Sequence, residues 1–221
     1  MHVCEALQIR KSVRAFLDRD VPKEKITAVL DAARHAPSGA NTQPWQAAVV
    51  AGAKKIELQT RIETAFRNGE ERQMDFHYYP LKWFEPYKTR RIECGLQLYS
   101  TLGITRQEKE RRLEQWAANY RSFDAPVALF FFIEPGLETG SYMDYGMFLQ
   151  SIMLAAVEEG LATCPQAALG EYPGIVKDAL GYEAELILLG GMALGYEDTG
   201  ALVNSYRTPR LPVESFTRFF G

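Results

Sequence analysis

Ile26, Val29, Leu30 and Ala33 recur at three- and four-residue spacing, the pattern of one apolar helical face. Pro22 marks the first helical position, so a helix is predicted from there to about Arg34, broken at "HAPSGANTQPW". "QAAVVA" (46–51) reads as a strand. Leu58, Ile62, Ala65 and Phe66 mark a second helix, ended by Asn68-Gly69. Residues 70–88 are aromatic without clean period and predict a loop or lid. Helices follow around Ile92, Leu96 and Tyr99, and around Leu113, Trp116, Ala117 and Tyr120. "PVALFFFIE" (126–134) is an unbroken apolar run, expected of a strand buried on both faces. Residues 145–161 are apolar on nearly all sides, which suits a core or subunit-interface helix capped near Gly160. A short segment ending "TCPQAALG", a helix over about 173–180 capped by Gly181, and a strand over 184–191 complete the pattern. The stretch 200–221 reads as an extended tail. Helices and strands mix without regular βαβ alternation, so the fold class is α+β with a central mixed β-sheet flanked by helices.

The 221 residues fit one globular domain, with no repeat or linker to divide them. Hydrophobic residues at 47% and charged residues at 24% are ordinary for a folded protein. A net charge of −3 argues against nucleic acid or an anionic membrane as partner. The N-terminus lacks the apolar core of a signal peptide, and "VALFFFI" is too short to span a bilayer. Cys4, Cys94 and Cys164, odd in number and unrelated in spacing, suggest neither a disulfide framework nor a metal knot, so a cytoplasmic location is expected.

The common chemistries lack carriers. His2, His35 and His77 are scattered, and no HExxH, CxxC, GxSxG, GxGxxG or GxxxxGK[ST] pattern occurs. The run "RQEKERRLEQ" (106–115) mixes both signs and reads as a solvated helix face. Glu70-Glu71 and Glu158-Glu159 are adjacent, and adjacent helical residues do not face each other.

Three stretches remain. "RKSVRAF" (10–16) gathers Arg10, Lys11, Ser12 and Arg14. In an extended segment Arg10, Ser12 and Arg14 point the same way, as a phosphate needs. Taken alone the stretch reads first as a charged loop. "APSGANTQPWQ" (36–46) brings Ser38, Asn41, Thr42 and Gln43 onto a loop stiffened by Pro37, Gly39 and Pro44, where amides can read the edge of a flat heterocycle. "YRTPRLPVESF" (206–216) adds Arg207 and Arg210 between prolines.

In this order the three stretches resemble the FMN-dependent nitroreductase family, nearest its nitrobenzoate/dinitroaniline reductase branch. "RKSVRAF" is similar to the family's R-[RK]-S-x-R-x-[FY] motif, "APSGANTQPW" to its A-P-S-x-x-N-x-Q-P-W signature, and "RTPRLP" to its C-terminal phosphate-binding segment. The resemblance spans essentially the whole chain. It implies an intertwined homodimer with FMN between subunits, the helix at 145–161 in the interface and the tail 200–221 around the partner. It implies Arg10, Ser12 and Arg14 at the FMN phosphate and ribityl chain, with Arg210 and Arg207 completing the clamp. Lys11 belongs to the same motif but points away. Pro37, Ser38, Asn41 and Gln43 would come from the neighbouring subunit. Pro165, Gln166, Ala167 and Ala168 would pass along the flavin ring, and Gly190 and Gly191 would let backbone approach the phosphate side. Many members carry Gly where Ala167 or Ala168 stands.

The implied activity is ping-pong reduction of nitroaromatics, and also quinones, with NAD(P)H as donor, hydride entering and leaving at flavin N5 with no side chain as acid or base. Phe76, Tyr78, Tyr79, Trp83, Phe84 and Tyr87 could line a flat substrate's pocket within a variable lid (70–120), or serve as core or interface. A reductive dehalogenase or flavin-destroying enzyme of the same fold, a non-enzymatic FMN carrier, and a phosphopeptide- or nucleic-acid-binding module are the alternatives. "FEPYK" (84–88) has the residue types of a dehalogenase lid but not its spacing.

Overall fold

The computed structural model describes all residues 1–221. The chain runs α1 (Val3–Ile9), α2 (Lys23–Ala33), β1 (Gln46–Ala51), α3 (Gly52–Arg67), α4 (Tyr87–Thr101), α5 (Lys109–Ala117), β2 (Val127–Ile133), α6 (Thr139–Glu158), β3 (Ala162–Gln166), α7 (Pro173–Leu180) and β4 (Ile187–Gly195). The strands order as β1-β2-β4-β3, and every neighbouring pair is antiparallel. The sheet is thus antiparallel among its four strands. The parallel component is one isolated bridge, Ser12 to Thr163.

Strand β2 explains the layering. All seven of its residues are buried, yet successive side chains point to opposite faces. Val127, Leu129, Phe131 and Ile133 join α2 and α6 in one core, with Tyr145, Phe148 and Ile152 packed against them. Ala128, Phe130 and Phe132 join α3 and α7 in the other, against Leu58, Ile62 and Val176. A continuous apolar strand sandwiched between helical layers is what the sequence pattern calls for.

Most element predictions hold with shifted ends. Helix α7 ends where Gly181 adopts φ +71°, the left-handed cap that glycine supplies without a Cβ penalty. Pro22 precedes the helix as its N-cap rather than opening it as its first residue, because its ψ of 138° is extended. Helix α6 starts earlier than the apolar run and β4 extends to Gly195. Two elements were not foreseen. Helix α1 buries only Ala6, so it has almost no amphipathic signature. Strand β3 contains Pro165, which lacks a ladder donor but is tolerated because β3 lies at the sheet edge.

No helix is long and apolar enough to cross a membrane. All three cysteines are free, Cys164 alone being buried.

Candidate cofactor site

The segment after α1 runs extended beside β3 and the end of β4. Val13 N–H donates to the Thr163 carbonyl at 3.0 Å and Leu17 N–H to Tyr196 at 2.9 Å. This pinning buries Val13, at 2% exposure, and turns the alternate positions outward. Arg10, Lys11, Ser12 and Arg14 then line a cavity of about 520 Å³, closed on the far side by Tyr206, Arg207 and Arg210. The two arginine-bearing stretches, nearly two hundred residues apart in sequence, meet here.

Asn204 holds the two walls together. It is 3% exposed. Its Oδ1 accepts the Arg14 N–H at 2.8 Å, and its Nδ2 donates to the carbonyls of Ala15 and Asp198, both at 2.9 Å. Its own carbonyl accepts from Lys11 Nζ at 2.6 Å, and Lys11 also pairs with Glu197 at 2.6 Å. Lys11 is therefore neutralised locally, as its place out of phase with Arg10 and Arg14 suggests. Asn204 went unread because an isolated Asn in "ALVNSYR" carries no motif. Asn204→Ala would strand the Arg14 N–H and take one of two donors from each of the Ala15 and Asp198 carbonyls. A stability loss of about 3 kcal/mol is expected in urea unfolding, and unchanged stability would remove Asn204 from this role.

The cations differ in what they hold. Arg207 donates to the carbonyls of Gln8, Ile9 and Arg10, satisfying the C-terminal end of α1. Arg207 thus ties the tail to α1, while Arg210 makes only turn contacts to Thr208 and Pro209. Arg14 reaches only the Ser12 carbonyl, at 3.4 Å. Arg10 reaches the Met153 sulfur, at 3.7 Å. Burial first, then Arg210 and Arg207, push the Arg10 pKa down. No carboxylate lines the cavity. Crowded cations without a built-in counter-charge define a socket for an anion. Arg207→Ala is expected to lower the melting temperature and Arg210→Ala to weaken anion binding at unchanged stability. Equal melting temperatures for the two variants would contradict this division.

The loop residues lie elsewhere. Ser38, with Asn41 and Gln43, belongs to a tight turn with Ala40, Asn41 and Gln43 at φ of 48°, 58° and 49°. Ser38 Oγ accepts the Gln43 N–H at 2.9 Å, and Gln43 Nε2 donates to the Asn41 carbonyl at 3.2 Å. Asp144 of α6 accepts the Gly39 N–H at 3.0 Å. Pro37, Asn41 and Gln43 are exposed, and none of this loop lines the arginine cavity.

Pro165 and Gln166 end β3, and Ala167 and Ala168 open the 3-10 turn Ala167–Gly170. Pro165 is exposed, whereas Gln166 is 5% exposed. Gln166 donates to the Asn119 carbonyl at 2.8 Å, and its Oε1 is buried without a partner. Gly190 and Gly191 sit inside β4, away from the cavity. Their glycine identity has an internal reason. A Cβ on Gly190 would lie 2.8 Å from the Gln166 carbonyl, and one on Gly191 would lie 2.6 Å from the Leu129 carbonyl.

The aromatic segment forms a row. Phe76 packs on Tyr142 at 5.8 Å and on Tyr78 at 6.2 Å, Tyr78 on Tyr79 at 4.7 Å, and Tyr79 on Trp83 at 5.5 Å. Phe84 and Tyr87 form a separate pair at 5.2 Å. Tyr78, Tyr79, Phe84 and Tyr87 are about half exposed. Sequence reasoning missed what anchors the row. Asp75 pairs with buried Lys177 at 2.9 Å and accepts the Leu188 N–H at 2.8 Å. The base of the segment therefore rests on α7 and β4, next to the turn at 167–170.

Antiparallel sheet, two helical layers and an N- and C-terminal arginine socket together define the nitroreductase-like fold. The solved FMN- and NADPH-dependent nitroreductase NfnB from Sphigopyxis sp. strain HMH superposes with a TM-score of 0.97, at 39% identity and full coverage of both chains. A 4-nitrobenzoate reductase of Pseudomonas putida is 35% identical over 96% of this chain and 92% of its own. Nitroreductase NfnB of Mycolicibacterium smegmatis is 37% identical over 95% and 89%. The sequence profile described as "Nitroreductase family" matches residues 7–196. The chain belongs to the nitroreductase family.

Proposed function

We propose that this protein binds FMN with its phosphate in the Arg10–Ser12–Arg14–Arg210 socket and reduces nitroaromatic compounds, and also quinones, at the expense of NADPH or NADH. The observation that carries the reading is the carboxylate-free arginine cavity, set in a fold shared with FMN-dependent nitroreductases. Bound FMN supplies a two-electron store that a reduced nicotinamide fills and a nitro group empties in turn.

The chain's residues position and neutralise. Arg14 and Arg210 offer guanidinium donors in a fixed fork to a phosphate, and the Ser12 hydroxyl adds a neutral donor. Arg10, partly buried beside two other arginines, is relieved of like-charge crowding when an anion enters. Past Pro165, which has no N–H, the backbone N–H groups over Gln166–Ala168 offer the ring edge its donors. Alanine at 167 and 168 keeps the N–H donors while adding a methyl on each side. The row from Phe76 to Trp83 and the separate Phe84–Tyr87 pair offer flat apolar faces to an aromatic substrate.

Ser38, Asn41 and Gln43 reach the cofactor from a second copy of the chain. Three features support a homodimer: α4 buries none of its residues, Met143 and Met147 of α6 are 71% and 40% exposed, and Phe216, Phe219 and Phe220 of the tail are 68%, 85% and 90% exposed. The 1–221 chain then acts as a single FMN-binding domain, with 70–120 over the substrate and 200–221 around the partner. Free cysteines suit a reducing cytoplasm.

Steady-state oxidation of NADPH and NADH with nitrobenzene, 4-nitrobenzoate and benzoquinone tests the reading. Turnover with a nitroaromatic is expected, and a flavin-loaded protein that turns over none of them contradicts it. Cys94 lines the socket, so its reaction with a thiol reagent should slow on addition of FMN. Cys164, buried and with its thiol pushed up to about 11, should react only after unfolding. A Cys94 rate indifferent to FMN would place the cofactor elsewhere.

A further inference from the structure

The stretch between α3 and the aromatic row is tied down at nearly every residue. Glu70 N–H donates to the Ala65 carbonyl at 3.0 Å, and the Glu70 carbonyl accepts from the Tyr172 hydroxyl at 3.4 Å. Arg72 pairs with Glu171 at 3.7 Å, and Gln73 N–H donates to the Glu171 carbonyl at 3.0 Å. Met74 lies against Gly170, where an added Cβ would meet its methyl at 3.2 Å. Beyond this root the support changes. Residues 76–83 make no backbone-to-backbone hydrogen bond. Ring contacts carry the row, from Tyr142 at the Phe76 end to Arg91, 5.2 Å over Trp83, at the other.

Asp75 stands where the root meets the row. Its side chain is 21% exposed, and Lys177 is 7% exposed. One carboxylate oxygen, Oδ2, accepts from Lys177 Nζ at 2.9 Å and from the Leu188 N–H at 2.8 Å. Lys177 Nζ also donates to the Ala184 carbonyl at 2.8 Å. The sheet explains why an acceptor is needed there. Strand β3 pairs with β4 only from Gln166 opposite Gly191 onward, so the Leu188 N–H faces an edge with no strand beside it. Asp75 supplies the acceptor that a longer β3 would have supplied. Lys177 neutralises the carboxylate in a setting where an unpaired charge is costly. Slightly further along β4, a Cβ on Gly190 would lie 2.8 Å from the Gln166 carbonyl oxygen. The aromatic row and the backbone N–H groups of Gln166–Ala168 therefore hang from one short piece of β4.

We propose that Asp75 is a positioning residue that governs the choice of oxidant. Its ties to Lys177 and Leu188 set the aromatic row against the turn Ala167–Gly170, an inference that rests on the reading in which the turn meets the flavin and the row meets the substrate. Asp75 acts through the rings from Phe76 to Trp83 and not on the reacting atoms. With the tie in place, a planar ring enters between two surfaces fixed to the same strand. With the tie removed, the row loses its hydrogen-bonded end and the faces that stack a ring drift. An oxidant that needs no stacking is served as before.

Two measurements on the full-length protein test it, and the first needs no flavin chemistry. Lys82 is exposed within the row, so trypsin cleavage after it under native conditions reads how often the row opens. Asp75→Ala is expected to speed that cleavage about fivefold or more. The second measurement is kcat/KM for nitrobenzene divided by kcat/KM for ferricyanide, an outer-sphere oxidant of which two ions take the electron pair without stacking. Asp75→Ala should lower this ratio about tenfold or more. Asp75→Asn leaves Lys177 unpaired and should move both readings the same way by about threefold or more, which serves if the alanine variant does not fold. Asp75→Asn combined with Lys177→Met keeps an acceptor for Leu188 and buries no lone charge. That pair should return both readings to within about twofold of the parent. An unchanged Lys82 rate in the folded Asp75 variants overturns the proposal. Equal loss with both oxidants overturns it as well, because Asp75 would then support the fold alone. A parent protein that reduces ferricyanide but no nitroaromatic fails the proposed function by itself, and the Lys82 rate still decides whether Asp75 holds the row.

Discussion

Arg14→Glu protein is expected to purify colourless and to take up no FMN at micromolar concentration. Arg14 has no carboxylate partner and faces a cavity shared with Arg10 and Arg210. Replacing a cation by an anion against a phosphate removes one attraction and adds one repulsion. Together these amount to several kcal/mol, or at least ~100-fold in affinity. The fold should survive, because the link from residue 14 to Asn204 runs through the backbone N–H. Lys11→Glu serves as the contrast. Lys11 is paired with Glu197, so its reversal perturbs that pair more than the socket, and the smaller loss of flavin should fall to it. Flavin absorbance per mole of folded protein decides the matter. An Arg14→Glu protein that retains full occupancy would move the phosphate out of this cavity.

The largest expected effect on stability belongs to Gly191→Ala. Gly191 pairs with Phe130 on one side and Gln166 on the other. An added Cβ would lie 2.6 Å from the Leu129 carbonyl oxygen and 2.6 Å from Leu169 Cδ1. The first of these is backbone in the middle of the sheet and cannot move without breaking the ladder. Overpacking of this kind should cost roughly 3 kcal/mol or more. Gly174→Ala is the matched control, with open space around the new methyl and a helical position in α7. That change should be neutral or stabilising by up to about 1 kcal/mol. The urea midpoint should therefore fall for Gly191→Ala and hold or rise for Gly174→Ala. Similar midpoints would mean that β4 is looser than its register indicates.

The same residues show which features the sequence discloses. Helices α2 and α7 were legible because apolar spacing and end residues agree. Strand β2 was legible because seven buried apolar residues in a row fit few alternatives. The socket was legible only as a conjunction, since Arg10, Ser12 and Arg14 gain meaning from Arg210 far along the chain. What escaped detection depends on tertiary context. Helix α1 is completed by Arg207 from the tail, so its own seven residues carry little of its stability. Pro165 and the Gly190-Gly191 pair ordinarily interrupt strands. Here an edge position excuses the first, and close backbone approach requires the second. Arg207 reads as a phosphate ligand in sequence because a guanidinium suits both an anion and helix-terminal carbonyls. Only the three-dimensional position of α1 separates those roles.

The central claim is that this chain carries FMN in the arginine socket as a two-electron store for nitro reduction. Visible spectra of the purified protein, recorded anaerobically as NADPH and then a nitroaromatic are added, test it most directly. The account predicts a yellow protein whose absorbance bleaches with one equivalent of NADPH or NADH and returns on addition of the nitroaromatic. A protein that stays colourless after incubation with FMN, or a yellow one that neither nicotinamide bleaches, would contradict it.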